Sequence, residues 1–492
     1  MNHLVLLCIA VLLSVHSSGQ NRSYDKTKIS PGTGIVVKKI ELVNQVMSRS
    51  VYESGTRPQQ FDNFVELQKK ATKDELIELT THPNGVVRCY ALWALSYDTT
   101  ASLFRMVVNH ISDTESVDTQ FGCIGAKEKV GDFFIYVVTP NLIDFDSKKL
   151  TPEERKYLDS ILVNIPNALN SKENAILTAA SSEAFYKRAR ELVLSENNQS
   201  ALIRLAGFRR TQDIPLILKN REKGERYEQF FYTYRAISKF PHAAFLPFLK
   251  KSLQKTFKED HYSNEWRELY KAIASFRNDT ALQLLRIPFS GKLKYQSMKE
   301  YHVNFIFRAV LEFYTPTYDD LLWRMWENER KVNTQVFNLL YAKNTEKAYQ
   351  LTEKTILNAS EFYYANMDVL NESQDSPVEL VKMMLDTVLA KDRSFAVDVI
   401  NKNIMEVDVF QFPVFAEKVL KLRDTSLINS LLARLEKETH PHVYLKAAEV
   451  LMALNERDIN KRIIDVFDRN PSLKEGWGGD EFSKLLKEHD LK

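Results

Sequence analysis

Apolar side chains recur along this chain at helical spacing, and polar or proline-containing breaks divide them into short segments. Trp266, Leu269, Tyr270 and Ile273 follow an i, i+3, i+4, i+7 pattern that gathers them on one helical face. Asn278, Asp279 and Thr280 interrupt that pattern, and such residues suit the N-terminal cap of a second helix carrying Leu282 and Leu285. One unit earlier Pro241 ends the first helix, because it lacks an N–H and its ring clashes with the preceding turn. The pattern therefore predicts paired helices.

The pairs repeat. Residues 235–240 read RAISKF, 271–276 read KAIASF and 308–313 read RAVLEF, with the terminal Phe residues 36 and 37 positions apart. A weaker copy, IRLAGF, ends at Phe208, 32 residues before Phe240, and a further one ends near Tyr341. A second apolar stretch begins near Ile214, Leu246, Leu282 and Leu321, six residues after the Phe in the first three units and eight in the last. A two-helix unit of this size cannot bury its apolar face alone, so stacking of neighbours must supply the core. The expected fold class is all-α, an α-solenoid of stacked helical hairpins.

Two segments resemble HEAT-type (armadillo-like) repeats. Residues 81–96, THPNGVVRCYALWALS, and 439–454, THPHVYLKAAEVLMAL, each combine a turn with an Ala-rich helix. The resemblance extends over residues 58–470 at the level of pattern and implies a helical-repeat fold with a bias toward binding proteins, with no implication for catalysis. At this repeat length roughly ten to thirteen helix pairs fit the chain.

The ends and one interior stretch depart from the pattern. Leu4 to Val15 is a twelve-residue apolar run followed by Ser17, Ser18, Gly19 and Gln20. It is short for a membrane span but suits the core of a secretory signal, here residues 1–19, although no Lys or Arg precedes it. No later stretch approaches a membrane span, so the expected location is secreted or periplasmic. Residues 20–57 read as an extended leader, 58–112 as an N-terminal HEAT-like repeat, 132–474 as the array and 475–492 as its cap. Within residues 113–131, Gly122, Gly125 and Gly131 crowd together, which reads as an inserted loop carrying Cys123. Cys89 and Cys123 remain after signal removal; in an oxidising compartment they form either a disulfide or two free thiols.

Composition narrows the function. Of 492 residues 44% are hydrophobic and 27% charged, enough apolar material for a large core. Only 14 Gly and 15 Pro argue against an all-β sandwich, and a net charge of +3 argues against a dedicated nucleic-acid binder. No His-Glu-x-x-His, Cys-x-x-Cys, EF-hand, Gly-x-Ser-x-Gly, Walker A or dinucleotide string occurs, so no catalytic residue, metal ligand or cofactor is expected. Arg204, Arg235, Lys271 and Arg308 occupy matching repeat positions; they form either a positive stripe for a partner or caps on helix C-termini. Lys250, Lys251, Lys255 and Lys258 read as a solvated face. The sequence thus points to a non-catalytic scaffold holding a protein or peptide on its concave surface. The alternative is an exported enzyme, or an enzyme accessory, with its site on the 113–131 loop.

Overall fold

The computed structural model describes residues 24–140, 143, 146–222, 229–290, 293–367 and 376–491, which form 27 α-helices and one three-stranded sheet. The expected signal at residues 1–19 lies outside these residues. No helix among the described residues is long and apolar enough to cross a membrane. The chain divides into two compact units, residues 1–224 and 225–492.

The first unit contains α1 (Pro31–Val43), α2 (Gln59–Lys70), α3 (Lys73–Leu79), α4 (Gly85–Leu95), α5 (Leu103–Asn109), α6 (Val130–Val138), α7 (Pro152–Asn164), α8 (Ser171–Thr178), α9 (Glu183–Glu196), α10 (Gln199–Gly207) and α11 (Ile214–Lys219). Its centre is α4, the helix of the first HEAT-like segment, in which every residue is buried. Asn84 caps this helix by accepting the Val87 N–H at 3.0 Å. Phe64 stacks on Trp93 and Tyr90 with ring centres 4.5 and 5.2 Å apart, clamping α2 to α4.

The leader is not extended throughout. Ser30 caps α1 and Pro31 occupies its first turn, where a missing N–H costs nothing. Glu75 and Glu78 on α3 strap the leader down. Glu78 takes the Asp25 N–H at 2.7 Å and the Lys28 ammonium at 2.9 Å, and Glu75 takes the Ser30 N–H at 2.8 Å. Burial opposes ionisation of Glu75, but the Thr72 and Ser30 N–H groups outweigh it and hold the carboxyl down at about 2.

Strand β1 (Val46–Val51) follows α1 and runs parallel to β2 (Ser116–Gly122), which turns back antiparallel into β3 (Ile124–Lys129). The inserted loop is therefore a β-hairpin. Gly122 adopts φ +55° at the first central position of its turn, a conformation that favours glycine. At the far end, residues 476–480 are helical and belong to α27 (Gly476–Glu488). Its glycines admit close packing instead of breaking the helix, since any side chain at Gly478 would meet Tyr444 and Pro441.

In the second unit the helices are α12 (Phe231–Lys239), α13 (Leu246–Thr256), α14 (Asn264–Ala274), α15 (Asp279–Arg286), α16 (Lys299–Glu312), α17 (Asp319–Glu329), α18 (Thr334–Lys343), α19 (Thr345–Leu357), α20 (Ala359–Asn366), α21 (Pro377–Lys391), α22 (Arg393–Glu406), α23 (Phe412–Leu422), α24 (Thr425–Lys437), α25 (Pro441–Ala453), α26 (Arg457–Arg469) and the α27 already given. First helices pack on first helices: α12 on α14 and α14 on α16, with α13 and α15 against α14. Toward the C-terminus α21, α23, α25 and α27 form one such ladder and α22, α24 and α26 a second. Among the described residues of this unit, no helix shares a substantial interface with one more than three places away.

The core between α14 and α16 buries an ionisable group at high cost. His302 on α16 is fully buried, stacked on Trp266 at 4.3 Å, with its Nδ1 2.6 Å from the Tyr270 hydroxyl and, among the described residues, no partner for Nε2. Burial pushes its pKa down to about 4. A depressed histidine stabilises the fold above its unfolded value near 6.5, and that stability is lost as pH falls toward the folded value. Chemical denaturation followed between pH 7 and 4.5 is expected to show a loss of about 2–3 kcal/mol from this residue, absent in His302→Leu.

Candidate functional site

The best candidate surface among the sequence-selected residues is the row formed by α12, α14 and α16. Their apolar faces are buried through Tyr234 and Ile237, Leu269 and Ile273, and Ile306 and Val310. That packing leaves Arg235, Lys271 and Arg308 half-buried on three helices that stack in order. The Arg235 guanidinium lies 5.7 Å from the Phe231 ring centre and 6.0 Å from that of Tyr232. Lys271 pairs with Glu312 of α16 at 2.8 Å. The row is thus basic, part aromatic and partly neutralised.

Arg204 belongs to the first unit and does something else. Its guanidinium donates to the Ala179 carbonyl, the C-cap of α8, and lies 5.4 Å from the Phe185 ring centre. It is a cap, but on the helix of the neighbouring repeat and not on its own.

That device recurs. Arg188 donates to the Val163 carbonyl in the last turn of α7 at 3.0 Å. Tyr318 reaches the last carbonyl of α14, Ala274, at 2.7 Å, and Asn366 the Arg330 carbonyl that ends α17, also at 2.7 Å. Asn403 reaches Ile356 in α19 at 3.0 Å, and Arg434 reaches Met405 and Val407 at the end of α22. Asn470 closes α24 through Leu435 and Glu438 at 3.1 and 3.0 Å. Each donor lies 25–47 residues from its acceptor, about one repeat away.

Two acids, Asp113 and Glu115, lie just before the hairpin, and both are occupied. Arg88 of α4 is buried and donates to the His82 carbonyl at 2.7 Å, to Glu115 at 2.5 Å and to Asp113 at 3.1 Å. Burial resists ionisation of Asp113, yet the His110 hydrogen bond and the Arg88 charge hold it below the usual carboxylate range. Glu115 also takes the Gly85 N–H at 3.1 Å, pinning the hairpin to the N-terminus of α4. These contacts are structural ties between the segment entering β2 and α4.

The disulfide is not made: Cys89 and Cys123 are both free. Cys89 points into the core of α4, where burial pushes its thiol well up, whereas Cys123 sits exposed in the hairpin turn. Among the described residues no group of three or more His, Cys, Asp or Glu is placed to hold a metal ion. His440 and His442 lie with ring centres 5.7 Å apart, and His442 packs on Trp477 at 5.1 Å.

Sequence reasoning missed an open groove of about 650 Å³ in the second unit, lined by Gln296, Lys299, Glu329, Arg330, Glu361 and Tyr364. Lys299 pairs with Glu329 at 2.8 Å and Arg330 with Glu361 at 2.6 Å, so its walls carry balanced charge. Its residues come from three repeats, and no local motif marks them.

No protein-family model matches the chain, and no curated protein shows significant similarity to it.

Removing Arg88 leaves Asp113 and Glu115 without their charge partner. Arg88→Ala is expected to destabilise the first unit by about 3–5 kcal/mol, read as a lower thermal midpoint, while Lys127→Ala, at an exposed hairpin position, shifts it little.

Proposed function

We propose that this protein is an exported, non-catalytic scaffold, an α-solenoid of HEAT-like hairpins that holds a protein or peptide partner on its concave surface. The observation that carries the reading is the matched placement of Arg235, Lys271 and Arg308 on helices that pack in succession. Equivalent residues on successive repeats create one extended surface, which suits an elongated polypeptide better than a small substrate. The occupation of Asp113 and Glu115 by Arg88 weighs against an enzyme site on the hairpin, because neither carboxylate is left to handle a proton.

The test is photo-crosslinking from positions 235, 271 and 308 of the full-length exported protein in its native extract. The same partner is expected at all three positions, with binding eroding stepwise as the three are changed singly and together to Ala. Crosslinks confined to residues 113–131, or complete loss on a single substitution, contradict the scaffold reading. N-terminal sequencing of the exported protein is expected to begin at Gln20.

A further inference from the structure

The chain's charge is unevenly distributed. Residues 235–299 hold 13 Lys and Arg against five Asp and Glu, an excess of eight, while the whole chain carries only +3. The remainder is therefore net acidic by five. This concentration falls on α12 to α15 and the start of α16.

Its sharpest expression is α13. At 100° per residue, Lys250, Lys251, Gln254, Lys255 and Lys258 lie on one face of this helix and the turn after it, and all are exposed. Leu249 and Leu253 fill the opposite, buried face. Several basic side chains elsewhere in the unit are answered by acids, as in the pairs Lys271 with Glu312, Lys299 with Glu329 and Lys446 with Glu417, and ones unpaired among the described residues, such as Lys382, Lys461 and Lys487, are scattered over separate helices instead of clustered on one. On α13 the nearby acids are engaged. Glu259 takes the Trp266 indole N–H at 2.8 Å and pairs with Lys255 at 3.5 Å, and Glu265 takes the Phe230 N–H at 2.8 Å. Lys250, Lys251 and Lys258 have no ion-pair partner among the described residues.

We propose that the α13 face is a docking surface for an acidic polypeptide segment of the partner. Three features select this class. Unanswered lysines seek carboxylates through charge complementarity. The exposed positions of α13 hold no large apolar side chain to enter a bilayer. They also hold no interleaved aromatic on which bases could stack. The proposal rests on the scaffold reading for the partner's being a protein, and not for which face it covers.

The probe is a fluorescently labelled twelve-residue oligoglutamate peptide, titrated with the full-length protein by anisotropy over a salt series. Changing Lys250, Lys251 and Lys255 together to Glu is expected to weaken binding by about tenfold or more. The same change at exposed Lys382, Lys461 and Lys487, which alters net charge equally, is expected to weaken it by less than about twofold. The milder Lys250→Gln with Lys251→Gln, checked by circular dichroism, gives the same ordering should the triple variant misfold. Equal losses in both triples would overturn the proposal, because net charge alone would then explain binding. So would selective loss of heparin or phosphatidylserine-vesicle binding with oligoglutamate binding unchanged. Stepwise crosslinking at 235, 271 and 308 tests the scaffold separately, so either reading can fail without the other.

Discussion

Every α-helix ends with carbonyls that have no partner within the helix, and a protein of short helices must satisfy many such ends inside its core. This chain meets that constraint with side chains sent across from other helices, 25–47 residues away in sequence. Arg188, Arg204, Tyr318, Asn366, Asn403, Arg434 and Asn470 each donate to a carbonyl in the last turn or cap of another helix. Apolar stacking supplies most of the stabilisation, but it is non-directional. The crossing hydrogen bonds, each worth about 0.5–1.5 kcal/mol net, fix the register in which one pair sits on the next.

The same constraint sorts the basic residues. Arg204 is consumed as a crossing cap, so it is not free for a partner. Arg235 and Lys271 lie on the packed row of α12 and α14, one against aromatic rings and the other in a single ion pair. The lysines of α13 contribute nothing to packing that the structure records, and their number without acidic answers costs electrostatic self-repulsion. That concentration of positive charge is the ground for the acidic partner proposed above.

Much of the helical organisation could be read from sequence. Ile214 and Leu246, placed at the start of second helices by their distance from Phe208 and Phe240, begin α11 and α13. Both HEAT-like segments contain a helix beginning within four residues of the turn, α4 and α25. The sheet was missed for a physical reason. β3 reads IGAKEK and has no apolar alternation, so its strand state depends on pairing with β2 and not on its own sequence. The alternation of Val117, Thr119 and Phe121 before Gly122 was a usable signal for β2. Likewise Ser30 before Pro31 marks the start of α1 within the supposed extended leader. The crossing caps and the groove at Arg330 were not legible, because each joins residues a full repeat apart with no local motif.

The most direct measurement is native-state hydrogen exchange on Arg434→Met. If crossing caps hold successive helix pairs in place, protection is lost first around residues 403–407, at the end of α22, although the substitution lies on α24. Loss of protection confined to α24, or none at either helix, would contradict the account.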